Sequence, residues 1–257
     1  MNVQPFIKQG RIVWTMTTSA YKLYTLNLRK WLIEVAKVPW TLCIICCDQD
    51  SYTFCRRESV PCIFYKDQTI RKGQQGIAVF GSTEFKVWNR IKLDLLRWFA
   101  ANALSLGIEW SLYLDGDIVV QQDPWPNLID LSGNLFFQCD CGNVDPHDAP
   151  APNCRNICSG VIATRHVSEM QADLYSYTPT LWKKSLEQDQ PYIAERLKET
   201  RTSFQTLSRR LFGNGHWQQK GAWKEDDWVL LHYNYRSGDT KKLAMRAAKH
   251  WLLIGAS

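Results

Sequence analysis

Two rhythms of apolar residues alternate along the chain. Short, nearly unbroken runs at residues 10–16, 40–47, 62–65, 110–114, 118–120, 159–163 and 228–232 have the length of strands buried in a sheet. Between them, residues 21–37 and 82–106 carry apolar side chains three or four positions apart, the spacing of helices with one face on a core. In the second, Trp88, Ile91, Leu95, Trp98 and Phe99 form the stripe, Ser82 opens the helix, Gly107 ends it, and Lys86, Arg90 and Arg97 fall on a polar flank. Residues 167–177, 187–199 and 241–253 read as further helices, whereas 133–158 and 212–223 are turn-rich and read as irregular. The β-α-β-β opening predicts a mostly parallel, Rossmann-like central sheet flanked by helices. The 257 residues are expected to form a single domain.

Composition narrows the class of protein. Hydrophobic residues make up 45% and charged residues 22%, a globular balance. Twelve Trp suit core packing first and stacking on sugar rings second. The net charge of +6 favours an anionic partner such as a phosphate or nucleotide diphosphate. The basic residues are scattered, with no arm or stripe of the kind that binds nucleic acid, so nucleic acid is not an expected partner. An odd count of nine Cys, three of them inside the apolar run at Cys43, Cys46 and Cys47, suits a reducing compartment. No stretch reaches the roughly 18 apolar residues of a membrane span, and the first ten residues lack a signal-peptide core. The expectation is a soluble, cytoplasmic protein without an integral membrane segment.

The chemistry concentrates after residue 114. Asp115-Gly116-Asp117 follows the buried run 110–114, and the apolar residues 118–120 follow it in turn. Two carboxylates one residue apart at a strand's carboxyl end can converge on a hard divalent cation, and ligands of open α/β sheets collect at such ends. A solvated turn would also contain such a tripeptide, but its apolar flanks argue against one.

Several segments, in order, carry a resemblance to a known family. Trp88-Asn89-Arg90-Ile91, then residues 113–120 around the Asp pair, then Asp123-Pro124, Asn156-Ile157-Cys158-Ser159-Gly160-Val161, Asp189-Gln190, and His232-Tyr233-Asn234 with Gly238 and Lys241 resemble the nucleotide-diphospho-sugar transferases of GT-A fold. The resemblance spans residues 10–252 and implies a glycosyltransferase with a nucleotide-sugar donor. UDP is favoured over GDP, and the acceptor is a hydroxyl of a glycan or glycoprotein. It also implies that Asp115, Asp117 and His232 bind Mn²⁺ or Mg²⁺. Asp115, Gly238, Lys241 and Arg90 face the donor, with Lys86 a weaker candidate. Thr17, Thr18 and Tyr21 after the first strand and Asp48 after the second fall where the family holds base and ribose. Capping or turn roles would explain Thr17, Thr18 and Asp48 equally, and a surface arginine would explain Arg90. Asp189 is expected near the acceptor. There it would be the general base of an inverting reaction, the outcome leaned to, or would position sugar hydroxyls in a retaining one. A favourable charge at a helix N-terminus is a third reading. Residues 10–120 would form the nucleotide-binding half and 121–257 the acceptor half with the metal and diphosphate segment. The chain resembles the compact bacterial and viral members, and a virus-encoded enzyme acting in host cytoplasm is one form of that reading.

Other features leave alternatives open. Cys139, Cys141, Cys154 and Cys158, with His147 between them, could bind zinc, form a disulfide or remain thiols. Trp217, Trp223 and Trp228 flank a Gly213-Asn214-Gly215 loop that could close as a lid over the sugars, with core packing the alternative for Trp228. A nucleotidyltransferase also uses paired acids, but the segment after the first strand lacks the Gly and Lys such enzymes favour. A non-catalytic carbohydrate-binding module would be expected to be all-β.

Overall fold

The computed structural model describes residues 1–38, 42–66, 81–141, 156–215, 228–236 and 238–253. The large sheet begins with β1 (Arg11–Thr17), β2 (Cys43–Cys46) and β3 (Cys62–Phe64), and continues with β4 (Trp110–Leu114). These four lie parallel in the order β3-β2-β1-β4. The chain moves outward from β1 to β2 and β3, then returns to the other side of β1 for β4. That reversal leaves a crevice at the carboxyl ends of β1 and β4, the usual ligand position in doubly wound sheets.

Beyond β4 lie β7 (Ile157–Arg165), β6 (Leu135–Cys139) and β8 (Gln205–Thr206). Only β7 runs against its neighbours, so six of the seven strands share one direction. A second, three-stranded sheet joins β5 (Ile118–Val120), β10 (Leu230–His232) and β9 (Phe212–Asn214). Its register sets His232 opposite Ile118, which places the late histidine beside the Asp pair.

Helices cover both faces of the large sheet. On β1, Ile12 and Trp14 pack to one side with Ile91, Leu95 and Phe99 of α3 (Thr83–Asn102). Val13 packs to the other with Leu28 of α1 (Lys22–Lys30). Successive strand residues thus feed opposite cores, which is why these strands read as unbroken apolar runs. Each such fully buried aliphatic or aromatic side chain contributes about 1.5–3 kcal/mol. Helix α1 continues into a π-helical turn, Trp31–Val35. Ser82 caps α3 by accepting a hydrogen bond from the Phe85 amide. The shorter helices are α2 (Gln49–Arg57), α4 (Pro179–Lys184), α5 (Asp189–Thr200) and α6 (Gly238–Ala247).

Several elements differ from expectation, among them β9, which lies in the nominally irregular 212–223 segment, and α6, which spans Gly238–Ala247 where 241–253 was expected. Residues 47–61 contain α2, started by Asp48, where sequence pattern suggests only a polar connection. Within the nominally irregular 133–158 segment, β6 is a fully buried strand; its Leu-Phe-Phe core is short and sits between turn-formers and cysteines. Residues 167–177 hold a 3-10 segment, Glu169–Tyr175, in place of an α-helix. No helix among the described residues is long and apolar enough to cross a membrane.

Candidate active site

A cleft of about 630 Å³ opens at the carboxyl ends of β1 and β4. Thr17, Thr18 and Tyr21 line it from β1 and the start of α1, Asp115, Gly116 and Asp117 from the β4–β5 turn, and Asp189 from the first turn of α5. His232 ends β10, and Lys241 lies one turn into α6; both also line the cleft. Residues separated by more than two hundred positions therefore share one concave surface.

Asp115, Asp117 and His232 each offer a ligand atom, and these atoms lie within 4.8 Å of one another. His232 Nε2 stands 3.3 Å from Asp117 Oδ1 and 3.7 Å from Asp115 Oδ2. The other ring nitrogen, Nδ1, is 2.9 Å from Gln138 Oε1 on β6. Gln138 is fully buried and donates from Nε2 to the carbonyls of Gly213 and Phe212 at 2.6 and 3.3 Å, which fixes which end of its amide faces the histidine. Nδ1 must therefore donate, and the neutral ring presents the lone pair of Nε2 to the carboxylates. Burial works against the charge on His232, but Asp117 outweighs it and raises the pKa well above the ordinary value. A cation entering this cluster would have to displace that proton.

Two lysines flank the cluster. Lys241 Nζ bonds Asp117 Oδ2 directly. Burial would raise the pKa of Asp117, yet Lys241 and then His232 hold it well below the carboxylate range. On the opposite side, Lys92 Nζ bonds Asp115 Oδ1 at 3.2 Å, Asp189 Oδ2 at 2.9 Å and Ser159 Oγ at 3.4 Å. Burial opposes its charge, but Asp115 and Asp189 more than restore it. Tyr113 donates to Asp115 Oδ1, and Ser159 Oγ donates to Asp189 Oδ2 at 2.8 Å. Gly160 is required between these groups, because a Cβ there would stand 2.1 Å from His232 Cε1 and 2.8 Å from Asp115 Oδ2.

Several expected site residues do not line the cleft. Arg90 pairs with Asp94 at 3.1 Å, and its guanidinium carbon lies 3.4 Å from the centre of the Tyr177 ring. Lys86 is bound to Glu187. Asp48 caps α2 through the Ser51 amide and accepts the Ser19 amide, both at 2.7 Å, so it holds the loop after β1 from behind. Gly238 takes φ +51°, a conformation strained for any side chain, and accepts a hydrogen bond from Tyr24 at 3.1 Å. The cation that α3 does deliver is Lys92, on the same stripe as Trp88, Ile91 and Leu95. A lysine at a core position of an amphipathic helix was the sequence signal for it. Gln138 and Arg236, the latter on the cleft wall, gave no such signal.

The cysteine alternatives also narrow. Cys139 and Cys158 are free thiols, whereas Cys141 is disulfide-bonded, which removes it from a zinc site and departs from a fully reduced set. Cys158 Sγ lies 3.5 Å from His232 Nδ1, behind the Asp–His cluster. Trp228 is a core residue, packed against Trp31 at 6.3 Å. Trp217, Trp223, Cys154 and His147 lie outside the described residues.

A doubly wound sheet with a carboxylate–imidazole cluster at its switch point defines a class of nucleotide-binding α/β enzymes. Residues 41–245 match the model of the nucleotide-diphospho-sugar transferases, and the chain belongs to that family. Its fold is of GT-A type and the protein is a glycosyltransferase, which sets aside the nucleotidyltransferase and binding-module readings. Solved structures agree on the fold. Mouse xyloside xylosyltransferase 1 is 14% identical with a TM-score of 0.53, the match covering 88% of this chain and 98% of that one. A glycosyltransferase involved in glycosylating the major capsid of PBCV-1 is 13% identical with a TM-score of 0.52, over 92% and 98% of the two chains. Galactosyltransferase LgtC, in complex with donor and acceptor sugar analogs, is 12% identical with a TM-score of 0.55, over 93% and 94%. A search of curated protein sequences finds no match.

Proposed function

We propose that this enzyme moves a sugar from a nucleoside-diphosphate sugar to a hydroxyl of a glycan or glycoprotein, and that the reaction requires Mn²⁺ or Mg²⁺ held by Asp115, Asp117 and His232. UDP is the favoured nucleotide, on the family resemblance. The observation that carries this reading is the convergence of three ligand atoms within 4.8 Å at the sheet's switch point, with a lysine on either side.

The donor set fits the ion. Two carboxylates and one imidazole nitrogen suit Mn²⁺, and suit Mg²⁺ less because it prefers oxygen alone. Gln138 leaves the correct nitrogen of His232 free to ligate. When bound, such an ion neutralises charge that develops on the diphosphate as its bond to the sugar breaks. Lys241, now on Asp117, is placed to turn toward the same diphosphate, with Arg236 on the adjoining wall. Thr17, Thr18 and Tyr21 form the nucleoside side of the cleft.

Asp189 belongs on the acceptor side. Its Oδ2 already holds Lys92 and Ser159. The held carboxylate is placed to meet an acceptor hydroxyl, as the general base of an inverting reaction or as a group that positions the hydroxyl in a retaining one. Residues 10–120 and 121–257 act in this scheme as two halves of one domain.

Calorimetric titration of UDP and of GDP, with and without Mn²⁺, tests the proposal. The expected result is nucleotide binding that depends on the metal and is lost in Asp117→Ala while the fold is kept. Equal nucleotide affinity in the variant and the parent with Mn²⁺ present would show that Asp117 holds no ion.

A further inference from the structure

At the β3 edge of the large sheet, away from the cleft, three thiols converge. The sulfur atoms of Cys46, Cys55 and Cys62 all lie within 4.8 Å of one another. Cys46 ends β2, Cys62 opens β3, and Cys55 comes from the later half of α2. The register pairs Cys62 with Ile44 and Cys46 with Phe64, so the two strand cysteines are diagonal neighbours on one face of the sheet. Apolar side chains, including Ile44, Tyr52 and Phe64, surround them.

Packing as small hydrophobes would account for each buried cysteine singly. It does not account for a charged partner. Arg29 of α1 acts on this pocket, and its Nε is buried with no hydrogen-bond partner among the described residues. The Cys55 thiol is held below its ordinary pKa by a hydrogen bond from Cys46, against burial, with Cys62 and then Arg29 adding to the effect, while Cys46 is pushed up by its bond to Cys55 and Cys62 by burial. Three sulfurs within 4.8 Å of one another, with an arginine near enough to act on them, form a set of soft ligands able to converge on one cation.

We propose that Cys46, Cys55 and Cys62 form a three-thiolate site for a thiophilic cation, Zn²⁺ foremost, with solvent in the fourth position. Sulfurs around a tetrahedral zinc stand about 3.8 Å apart, given Zn–S bonds of about 2.3 Å. The observed cluster needs only a small contraction to reach that spacing. Three thiolates on a divalent ion leave one negative charge, which Arg29 offsets; a monovalent ion would leave two. Cys62 is only partly buried and gives the ion a route in. Binding there would tie α2 to β2 and to the edge strand β3. Because Asp48 at the other end of α2 holds the Ser19 amide, the site would also brace the loop that begins the nucleoside side of the cleft.

Titration of the full-length protein with Co²⁺, in deoxygenated buffer without added reductant so that the Cys141 disulfide stays closed, tests the site without reference to the cleft. Thiolate ligands give cobalt a near-ultraviolet charge-transfer band that carboxylates and imidazole do not. Co²⁺ should produce the band, to an intensity of one thiolate-bound ion per chain at saturation, and Zn²⁺ should abolish it by displacement. The band should vanish in Cys55→Ala and Cys62→Ser, and persist in Asp117→Asn and in Cys43→Ala, whose side chain lies on the opposite face of the sheet. Should Cys55→Ala fail to fold, the half-exposed Cys62→Ser decides the matter. Zn²⁺ should also slow alkylation of Cys62 by about tenfold or more. The absence of the band in the parent, its survival in Cys62→Ser, or alkylation indifferent to Zn²⁺ would each overturn the proposal.

Discussion

Gly160→Ala probes the candidate metal cluster through geometry alone, since it removes no ligand and adds no charge. Its new methyl would lie 2.1 Å from His232 Cε1, 2.6 Å from Nδ1 and 2.8 Å from Asp115 Oδ2. The Gly160 carbonyl is tied to the Asp115 amide at 2.8 Å on the β4 side, while the ladder with β6 is broken by a bulge at this point, so any yielding of the backbone must also move Asp115. The histidine ring must then retreat by about 1.3 Å to reach ordinary van der Waals contact at 3.4 Å. Metal sites tolerate ligand displacements of only about 0.2 Å, so His232 leaves the set. Loss of an outer-sphere contact alone costs roughly 10–100-fold in affinity, and the loss of a ligand should cost on the order of 100-fold or more. Overpacking should also lower stability by about 1–3 kcal/mol. Mn²⁺ affinity is read from the electron paramagnetic resonance signal of the free ion, and stability from urea denaturation of the metal-free protein. A variant that folds, loses its modest share of stability and still binds Mn²⁺ as the parent does would refute His232 as a ligand of the ion alongside Asp115 and Asp117.

Three further outcomes follow from the same geometry. Gln138→Leu removes the acceptor that orients His232 and should weaken Mn²⁺ binding by roughly 10–100-fold; unchanged affinity would mean that the ring is held by other contacts. Lys92→Met leaves Asp115 and Asp189 without their shared cation, and breaking such a buried pair costs about 3–5 kcal/mol. Urea denaturation that shows a loss below about 1 kcal/mol would place Lys92 in solvent, not between the two carboxylates. Burial pushes His166 down to about 4, below the unfolded value of 6.5, so its contribution is intact above pH 6.5 and is lost as pH falls toward 4. The shift corresponds to about 3 kcal/mol, and His166→Asn should flatten the fall in denaturation midpoint between pH 7 and pH 4.5; parallel curves for parent and variant would contradict it.

Local order was legible in the sequence wherever spacing and burial coincide. The run at 110–114 and the triplet at 118–120 appear as β4 and β5 with those bounds, and the stripe from Trp88 to Phe99 forms the buried face of α3. The Asp115-Gly116-Asp117 turn could be read because apolar strands bracket a charged tripeptide. Elements without a clean period were not legible. Helix α2 is polar and rests on one cap and a few apolar contacts, and β6 carries too few residues between turn-formers to declare itself.

What the sequence could not contain is which distant residues meet. Arg90 and Lys92 are two positions apart on one helix, and a rotation of about 200° separates them. The packing of α3 on the sheet sends the first to Asp94 and Tyr177 and the second into the cleft. Gln138 meets His232 only because β6 and β10 belong to sheets that approach one another, and Cys46, Cys55 and Cys62 meet only because β2, β3 and α2 pack at one edge. By itself the sequence determined the strands and helices with a clean period, the acidic turn and the family. The tertiary structure decided the partners of each charged group, because partnership depends on register and helix rotation, which local spacing does not encode.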